Sequence, residues 1–154
     1  MSILRFTHIG ICVVDLDRSV RFYRDLLGFR RRSELRIGGE PTSTLLRLPD
    51  VDLQAVYLER DGMRIELLRY HSPQAVGAGK ARSMRERGLT HLSLRVDDLA
   101  DLLLEMRAAG VEVLDDSRID FPEFQAGAVF VCDPDGTLIE LVQSPGDVEA
   151  PPGA

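Results

Sequence analysis

The sequence has no long apolar run, since no stretch approaches the roughly 18 consecutive apolar residues that a membrane-spanning helix needs. Its first five residues carry neither the basic region nor the apolar segment of a secretory signal peptide. Hydrophobic residues make up 44% of the chain and charged residues 29%, proportions that are ordinary for a globular protein. We therefore expect a cytoplasmic protein that has no membrane partner.

The chain also lacks a net positive charge, because 19 Lys and Arg stand against 25 Asp and Glu, which gives a formal net charge of −6, and Lys80 is the only lysine. Nucleic acids bind to broad basic faces, so this balance predicts that no nucleic acid is a partner. Two local basic clusters, Arg30 to Arg32 and Lys80 to Arg87, could meet an anionic ligand. The commoner role of such a charge run is a solvated face.

Cysteine is rare, with Cys12 and Cys132 the only two. Disulfides seldom persist in the cytosol, so the sequence favours two reduced core thiols over a disulfide bond.

What the sequence does contain is an internal repeat. Thr7-His8-Ile9-Gly10-Ile11 is matched by Thr90-His91-Leu92-Ser93-Leu94, and each is followed by Asp-Gly-x-x-Ile-Glu-Leu, at Asp61 to Leu67 and at Asp135 to Leu141. The histidines lie 83 residues apart (91 − 8) and the glutamates 74 apart (140 − 66), so the second copy is nine residues shorter in its middle. Such self-similarity predicts two similar modules that share one domain.

The repeat sets the expected organisation of the chain. Module one covers residues 5–70 and module two residues 89–143, within a single domain spanning 1–154. The glycine-containing, polar stretch 71–88 is predicted to be a linker with a short helix over Lys80 to Arg87. The Pro/Gly/acidic end, residues 144–154, is predicted to be disordered.

Module one reads as a strand, a helix and about three further antiparallel strands. The first strand, Arg5 to Val14, is apolar on both alternating faces, which predicts that it is covered on both sides and that His8 points into a dry interior. A helix capped by Asp15 or Asp17 follows and stops at Gly28. The pattern predicts strands over Phe29–Leu35, Thr44–Leu48, Leu53–Glu59 and Met63–Leu68, with a tight hairpin at Asp61-Gly62.

Module two repeats this order. A helix with a cap at Asp98 and a stop at Gly110 is expected, and the stretch Phe121 to Phe124 is expected to form an exposed apolar loop. The predicted strands are Thr90–Val96, Val111–Leu114, Ala128–Cys132 and Thr137–Val142.

The repeat supplies one histidine and one glutamate per copy. Two imidazoles and two carboxylates make a plausible mixed nitrogen and oxygen metal site, formed by His8, Glu66, His91 and Glu140. Each histidine could instead be a core residue hydrogen-bonded to backbone. Arg64, two residues before Glu66 on the same strand face, could also be that carboxylate's partner, whereas Leu138 offers nothing equivalent to Glu140.

Several of these motifs resemble the vicinal oxygen chelate superfamily over residues 5–143. They are the histidine near the start of each βα unit, the Asp-Leu openings of the helices, Arg21-Phe22-Tyr23-Arg24-Asp25-Leu26-Leu27-Gly28-Phe29, and Asp-Pro-Asp-Gly-x-x-Ile-Glu-Leu at Asp133 to Leu141. The resemblance implies an α+β fold of two tandem βαβββ modules, each curling its sheet into half of a metal-lined cup. It places the family's four metal ligands on His8, Glu66, His91 and Glu140.

The resemblance also implies a class of chemistry. A divalent ion, nickel, cobalt, manganese or zinc with iron as a further option, would leave about two positions for a substrate with vicinal oxygens. A metal-bound glutamate would take a proton next to a carbonyl, with Glu140 the first choice and Glu66 the second, while the ion stabilises the enediolate. The expected function is a lyase or isomerase like glyoxalase I or methylmalonyl-CoA epimerase.

Two alternatives remain open at this point. A binding protein of the bleomycin-resistance type would sequester a small molecule without metal. A ring-cleaving extradiol dioxygenase would use two histidines and one carboxylate, so a fourth ligand at Glu66 disfavours it. We also expect a homodimer, with the cup completed either within one chain or across two.

Overall fold

The computed structural model describes residues 2–145, and the chain divides into two compact units whose boundary falls between Ala78 and Gly79. Each unit holds one copy of the repeat. Of the predicted disordered tail, residues 146–154 lie outside the described part of the chain. No helix within residues 2–145 is long and apolar enough to cross a membrane.

The two units contain the same series of strands. In the first unit the elements are β1 (Ile9–Cys12), α1 (Leu16–Arg21) with a π-helical turn (Phe22–Leu26), β2 (Arg30–Gly38), α2 (Glu40–Leu46), β3 (Asp52–Arg60) and β4 (Met63–Ser72). In the second they are β5 (His91–Val96), α3 (Leu99–Ala108), β6 (Val113–Phe121), a 3-10 turn (Pro122–Phe124), β7 (Ala126–Cys132) and β8 (Leu138–Gln143).

The strand order is the same in both sheets, β1-β4-β3-β2 and β5-β8-β7-β6. In each sheet the first strand runs parallel to the last, and the other pairings are antiparallel. The α+β fold of two tandem βαβββ modules is therefore confirmed. The connection from β2 to β3 has 13 residues (39–51) and that from β6 to β7 has four (122–125), so the nine extra residues of the first copy lie there.

Each sheet is covered by a helix on one face. In the first unit α1 packs against β4, and in the second α3 packs against β6 and β8. Strand alternation places the histidine and the glutamate of each unit on the opposite face. The buried side chains between helix and sheet include Val20, Tyr23, Val56, Leu58, Ile65 and Leu67 in the first unit, and Leu103, Met106, Val129, Val131, Ile139 and Leu141 in the second.

The first strand differs from its prediction. It spans only Ile9–Cys12, and its two faces are unlike: Ile11 is buried while Gly10 and Cys12 are exposed. The expected dry surroundings of His8 are wrong, since 33% of its side chain is exposed. The physical reason is that β1 is an edge strand with a helix on one side only.

The two cysteines have different surroundings, and neither forms a disulfide bond within residues 2–145. Cys132 is buried as expected, and burial, more than its neighbours Glu112 and Asp133, raises the pKa of its thiol to about 11. Cys12 is exposed, so the prediction of a core position is wrong for it.

The predicted strand Thr44–Leu48 is wrong, because its first three residues belong to α2, Arg47 caps that helix and Leu48 follows it. Pro41 lies in the first turn of α2, where its fixed φ suits a helix and its missing N–H costs nothing. Arg47 ends the helix in the left-handed conformation, with φ of 56°. Local start and stop signals therefore prevail over the β-branched threonines of this stretch.

Of the other local predictions, some are confirmed and others are wrong. The tight turn at Asp61-Gly62 is confirmed, since both residues have positive φ, 50° and 74°, as a primed hairpin turn requires. Phe121 and Phe124 are exposed as expected, although Phe121 is the last residue of β6 and only Pro122–Phe124 form a turn. Lys80 to Arg87 contains turns rather than the expected helix, and β6 extends seven residues beyond the predicted Leu114.

Candidate metal and active site

The sheet register brings one histidine and one glutamate together in each unit. Gly10 pairs with Glu66 across β1 and β4, and Ser93 pairs with Glu140 across β5 and β8. Each histidine lies two residues before this pairing position, so strand alternation turns it to the same face as the glutamate. The His8 Nε2 atom lies 3.1 Å from Glu66 Oε2, and His91 Nε2 lies 3.5 Å from Glu140 Oε2.

A threonine hydroxyl fixes the orientation of each imidazole. Thr7 Oγ1 lies 3.1 Å from His8 Nδ1, and Thr90 Oγ1 lies 2.9 Å from His91 Nδ1. With Nδ1 engaged by the hydroxyl, Nε2 faces the carboxylate. This is the arrangement by which metal-bound histidines are oriented through their second nitrogen. A threonine precedes the histidine in both copies of the repeat, but the sequence alone did not reveal its role.

An aromatic ring stands beside each pair. Tyr57 is opposite Glu66 in the β3–β4 ladder, and Phe130 is opposite Glu140 in the β7–β8 ladder. Each ring meets the histidine of its unit edge-on, with ring centroids 5.4 Å apart. Burial, followed by a hydrogen bond with Glu66 and the charge of that carboxylate, raises the pKa of Tyr57 to about 12. The phenol is therefore protonated at neutral pH and donates to Glu66.

The aromatic ring of the second unit, Phe130, has no hydroxyl, and a serine is the hydrogen-bond donor to the glutamate instead. Ser93 Oγ donates a hydrogen bond of 2.7 Å to Glu140 Oε2, whereas the first unit has Gly10 at the corresponding position. The two glutamates also differ in burial, since 12% of the Glu66 side chain and 28% of the Glu140 side chain are exposed. Neither Tyr57 nor Ser93 was identified from the sequence, because their contacts depend on the exact register.

Arg64 does not have the partner that the sequence suggested. Its Nη2 atom donates to Glu59 Oε2 at 3.3 Å, and Arg32 Nε lies 3.4 Å from the same oxygen. Glu59 is directly opposite Arg64 in the β3–β4 ladder, which explains why Arg64 pairs with Glu59 and not with Glu66. Glu66 is accordingly associated with His8 and Tyr57.

The two pairs fit the donor geometry of a divalent ion. Adjacent ligands about 2.1 Å from an octahedral ion are separated by about 3.0 Å, so a gap of 3.1 or 3.5 Å suits one imidazole and one carboxylate on the same ion. Over residues 2–145 no group of three or more His, Cys, Asp or Glu side chains could hold a metal ion. Each unit by itself thus presents two donors.

Comparison with known proteins gives a consistent family. The family model described as Glyoxalase/Bleomycin resistance protein/Dioxygenase superfamily matches residues 5–141. The mitochondrial methylmalonyl-CoA epimerase of Mus musculus is 24% identical over 147 residues, covering 91% of this chain and 73% of the relative. A lactoylglutathione lyase of Arabidopsis thaliana is 28% identical over 148 residues, covering 90% of this chain and 44% of the relative.

Solved structures share the fold. A glyoxalase family protein from Bacillus cereus superposes with a TM-score of 0.81 at 19% identity, covering 95% of this chain and 97% of that one. The fosfomycin resistance protein FosX of Listeria monocytogenes, solved in complex with Mn(II) and sulfate ion, gives a TM-score of 0.59 at 17% identity, with 96% and 97% covered. At these identities the likeness concerns the fold alone.

Proposed function

Because the chain belongs to the Glyoxalase/Bleomycin resistance protein/Dioxygenase superfamily, we propose that it is a metal-dependent lyase or isomerase that removes a proton next to a carbonyl. The observation that carries this proposal is the matched pair of His–Glu contacts, at 3.1 and 3.5 Å, each with a threonine on the far side of the imidazole. Both copies keep this device although the residues around it differ, with Gly10 and Tyr57 in the first unit and Ser93 and Phe130 in the second.

The proposed ligands are the four residues His8, Glu66, His91 and Glu140, acting on one divalent ion. Two imidazoles favour nickel, cobalt, manganese or zinc over calcium, with iron also compatible. The two pairs would meet at one ion either within a chain or across a homodimer. When bound, the ion supplies Lewis-acid stabilisation of negative charge on two vicinal substrate oxygens.

The proposed division of labour follows from the surroundings of the two carboxylates. Glu140 is the proposed base, because its side chain is the more exposed and takes a hydrogen bond from Ser93 at one oxygen only. Glu66 is the second candidate, since its carboxylate faces His8 and accepts the Tyr57 hydroxyl. The threonine hydroxyls of residues 7 and 90 would hold the imidazoles while the proton moves.

The relatives support a reaction of this kind. One is named as an epimerase and the other as a lactoylglutathione lyase. The proposed substrate is a small molecule with vicinal oxygens, such as a 2-hydroxy-carbonyl compound or an acyl thioester.

Hydrogen–deuterium exchange tests the proposal. Glyceraldehyde, which carries a hydroxyl next to its carbonyl, is incubated in D2O with metal-free protein and with protein reloaded with Ni, Co, Mn or Zn. We expect loading to raise exchange at the carbon next to the carbonyl by at least about 100-fold, the scale of general-base catalysis. The acyl-thioester class is tested in parallel with methylmalonyl-CoA.

Two results would overturn the proposal. Exchange that is equal with and without metal, on both substrates, contradicts a metal-dependent enzyme. Undiminished binding of a small ligand by metal-free protein would instead favour the binding protein of the bleomycin-resistance type.

A further inference from the structure

The two copies of the repeat differ in charge at one pair of matched positions. Two residues before Glu66, β4 carries Arg64, and the strand opposite carries Glu59. The matching residues of the second unit are Leu138 and Cys132, which pair with each other and are buried. The same fold therefore forms without charge at this place, and the ion pair of the first unit is not a requirement of the βαβββ module.

The charges of this cluster, Arg64, Arg32 and Glu59, are not balanced. The Arg64 and Arg32 guanidinium groups share a single Glu59 oxygen, at 3.3 and 3.4 Å, which leaves one positive charge in excess. Both distances lie beyond the usual length of a strong charged hydrogen bond. The Arg64 Nε atom is buried and has no hydrogen-bond partner within residues 2–145. Both guanidinium groups therefore keep donors that the protein does not use.

Apart from the buried Arg64 Nε atom, the two side chains can be reached from solvent. The Arg64 side chain is 38% exposed and the Arg32 side chain 49% exposed. Strand alternation puts Arg64 on the same face as Glu66, two residues and thus about 7 Å along β4. Tyr57, which contacts His8 and donates to Glu66, stands on the neighbouring strand of that face.

We propose that Arg64 and Arg32 form an anion-binding subsite beside Glu66 that takes a carboxylate or phosphate group of the substrate. The identity of that ligand as substrate rests on the proposed function. A guanidinium group presents paired N–H donors that match either anion. The spacing of about 7 Å along β4 then describes a small substrate whose anionic group lies a few bonds from the part that meets Glu66.

The subsite is tested on the metal-free protein by NMR of the arginine Nε–H signals. Acetate and inorganic phosphate are titrated separately at constant ionic strength. We expect the Arg64 signal, identified by its loss in Arg64→Leu, to shift saturably with at least one anion. The Arg64→Leu substitution, which installs the residue that the second unit carries, should weaken the affinity at least about tenfold. Arg32→Leu provides a second, independent variant.

Arg118→Leu is the matched control, because Arg118 makes two hydrogen bonds to Asp120 on its own strand in the other unit. It should leave the anion affinity unchanged. The tighter of the two anions tells whether the substrate group is a carboxylate or a phosphate. That anion should also competitively inhibit the exchange of methylmalonyl-CoA, which carries a carboxylate and phosphates, by the loaded protein, with at least about tenfold weaker inhibition in Arg64→Leu.

The proposal is overturned if neither anion shifts the Arg64 signal saturably, or if Arg64→Leu and Arg32→Leu bind as tightly as the unsubstituted protein. The titration uses neither metal nor turnover. A failure of the exchange assay with an intact titration would therefore defeat the proposed function alone, and a failed titration with intact exchange would defeat the subsite alone.

Discussion

At the scale of single residues, Glu66 and Glu140 occupy equivalent positions of the repeat but meet different hydrogen-bond donors. Glu66 accepts a phenol hydroxyl and is the more buried, whereas Glu140 accepts a serine hydroxyl and is the more exposed. A carboxylate that takes a proton from a substrate must be reachable and able to adjust its position. The surroundings therefore favour Glu140 as the base and Glu66 as the more firmly held ligand.

This difference predicts unequal effects of the two amide substitutions. Glu140→Gln keeps the size and one oxygen donor but removes the charge that accepts the proton, so it should retain much of its metal and lose at least about 100-fold in turnover. Glu66→Gln should be milder. The measurements are metal content and hydrogen–deuterium exchange on glyceraldehyde for each variant.

Glu105→Gln, which changes an exposed carboxylate of α3, is the control and should behave like the unsubstituted protein. Should Glu66→Gln exchange slowly while Glu140→Gln exchanges at the full rate, the assignment of the base is reversed. If neither substitution slows exchange, the base lies outside the four proposed ligands.

At the residue level the repeat marked His8, Glu66, His91 and Glu140 in the sequence, and their role as metal ligands stays a prediction. The pairing of His8 with Glu66 and of His91 with Glu140 follows from motifs that occur twice at matched positions. Tyr57 and Ser93 could not be found in that way, since each exists in one copy only and becomes a neighbour of its glutamate through strand register. The alternative that Arg64 pairs with Glu66 is not met, because the cross-strand neighbour Glu59 is a stronger competitor than a residue two positions along the same strand.

At the scale of elements, the turn before β8 is a rigid support for the strand that carries Glu140. Asp133 Oδ1 accepts hydrogen bonds from the backbone N–H groups of Asp135 and Thr137, at 2.9 and 2.7 Å. Gly136, with φ of 88°, presses against the backbone of Lys80, whose atoms lie 2.4 to 2.7 Å from where a Cβ would stand. The Asp-Pro-Asp-Gly motif thus has a steric reason for its glycine.

Gly136→Ala should therefore cost more stability than the usual replacement of a left-handed glycine. Gly110 has φ of 77° and open space around its missing Cβ, so Gly110→Ala should lower the free energy of unfolding by about 1 to 2 kcal/mol. The clash at Gly136 adds a further cost of about 1 to 3 kcal/mol from overpacking. Urea unfolding of both variants measures the difference, and equal losses would contradict the proposed contact with Lys80.

The elements with strong local signals were predictable. The Asp15 and Asp98 side chains cap their helices by accepting hydrogen bonds from the backbone N–H groups of Arg18 and Asp101. Short polar residues of this kind are typical N-caps and can be recognised in the sequence. The helix α2 was mistaken for a strand because its residues also suit β structure. The covering of β1 could not be predicted either, since an apolar alternation does not reveal that a strand lies at the edge of its sheet.

At the scale of the whole molecule, the duplication explains why each unit has a covered face and a face with donors. The helix closes one side of each sheet, and the other side carries one imidazole and one carboxylate. Two donors hold a divalent ion weakly, whereas four of mixed nitrogen and oxygen type suit the ions named above. We therefore propose that both copies act on a single ion, within one chain or across a homodimer.

The measurement that tests this central claim most directly is a metal titration of the unsubstituted protein, His8→Ala and His91→Ala. The account predicts one ion per chain. Either substitution should weaken the protein's affinity for that ion by at least about tenfold, because both copies hold it. Two independent ions per chain, with His8→Ala removing one and His91→Ala the other, would contradict the claim.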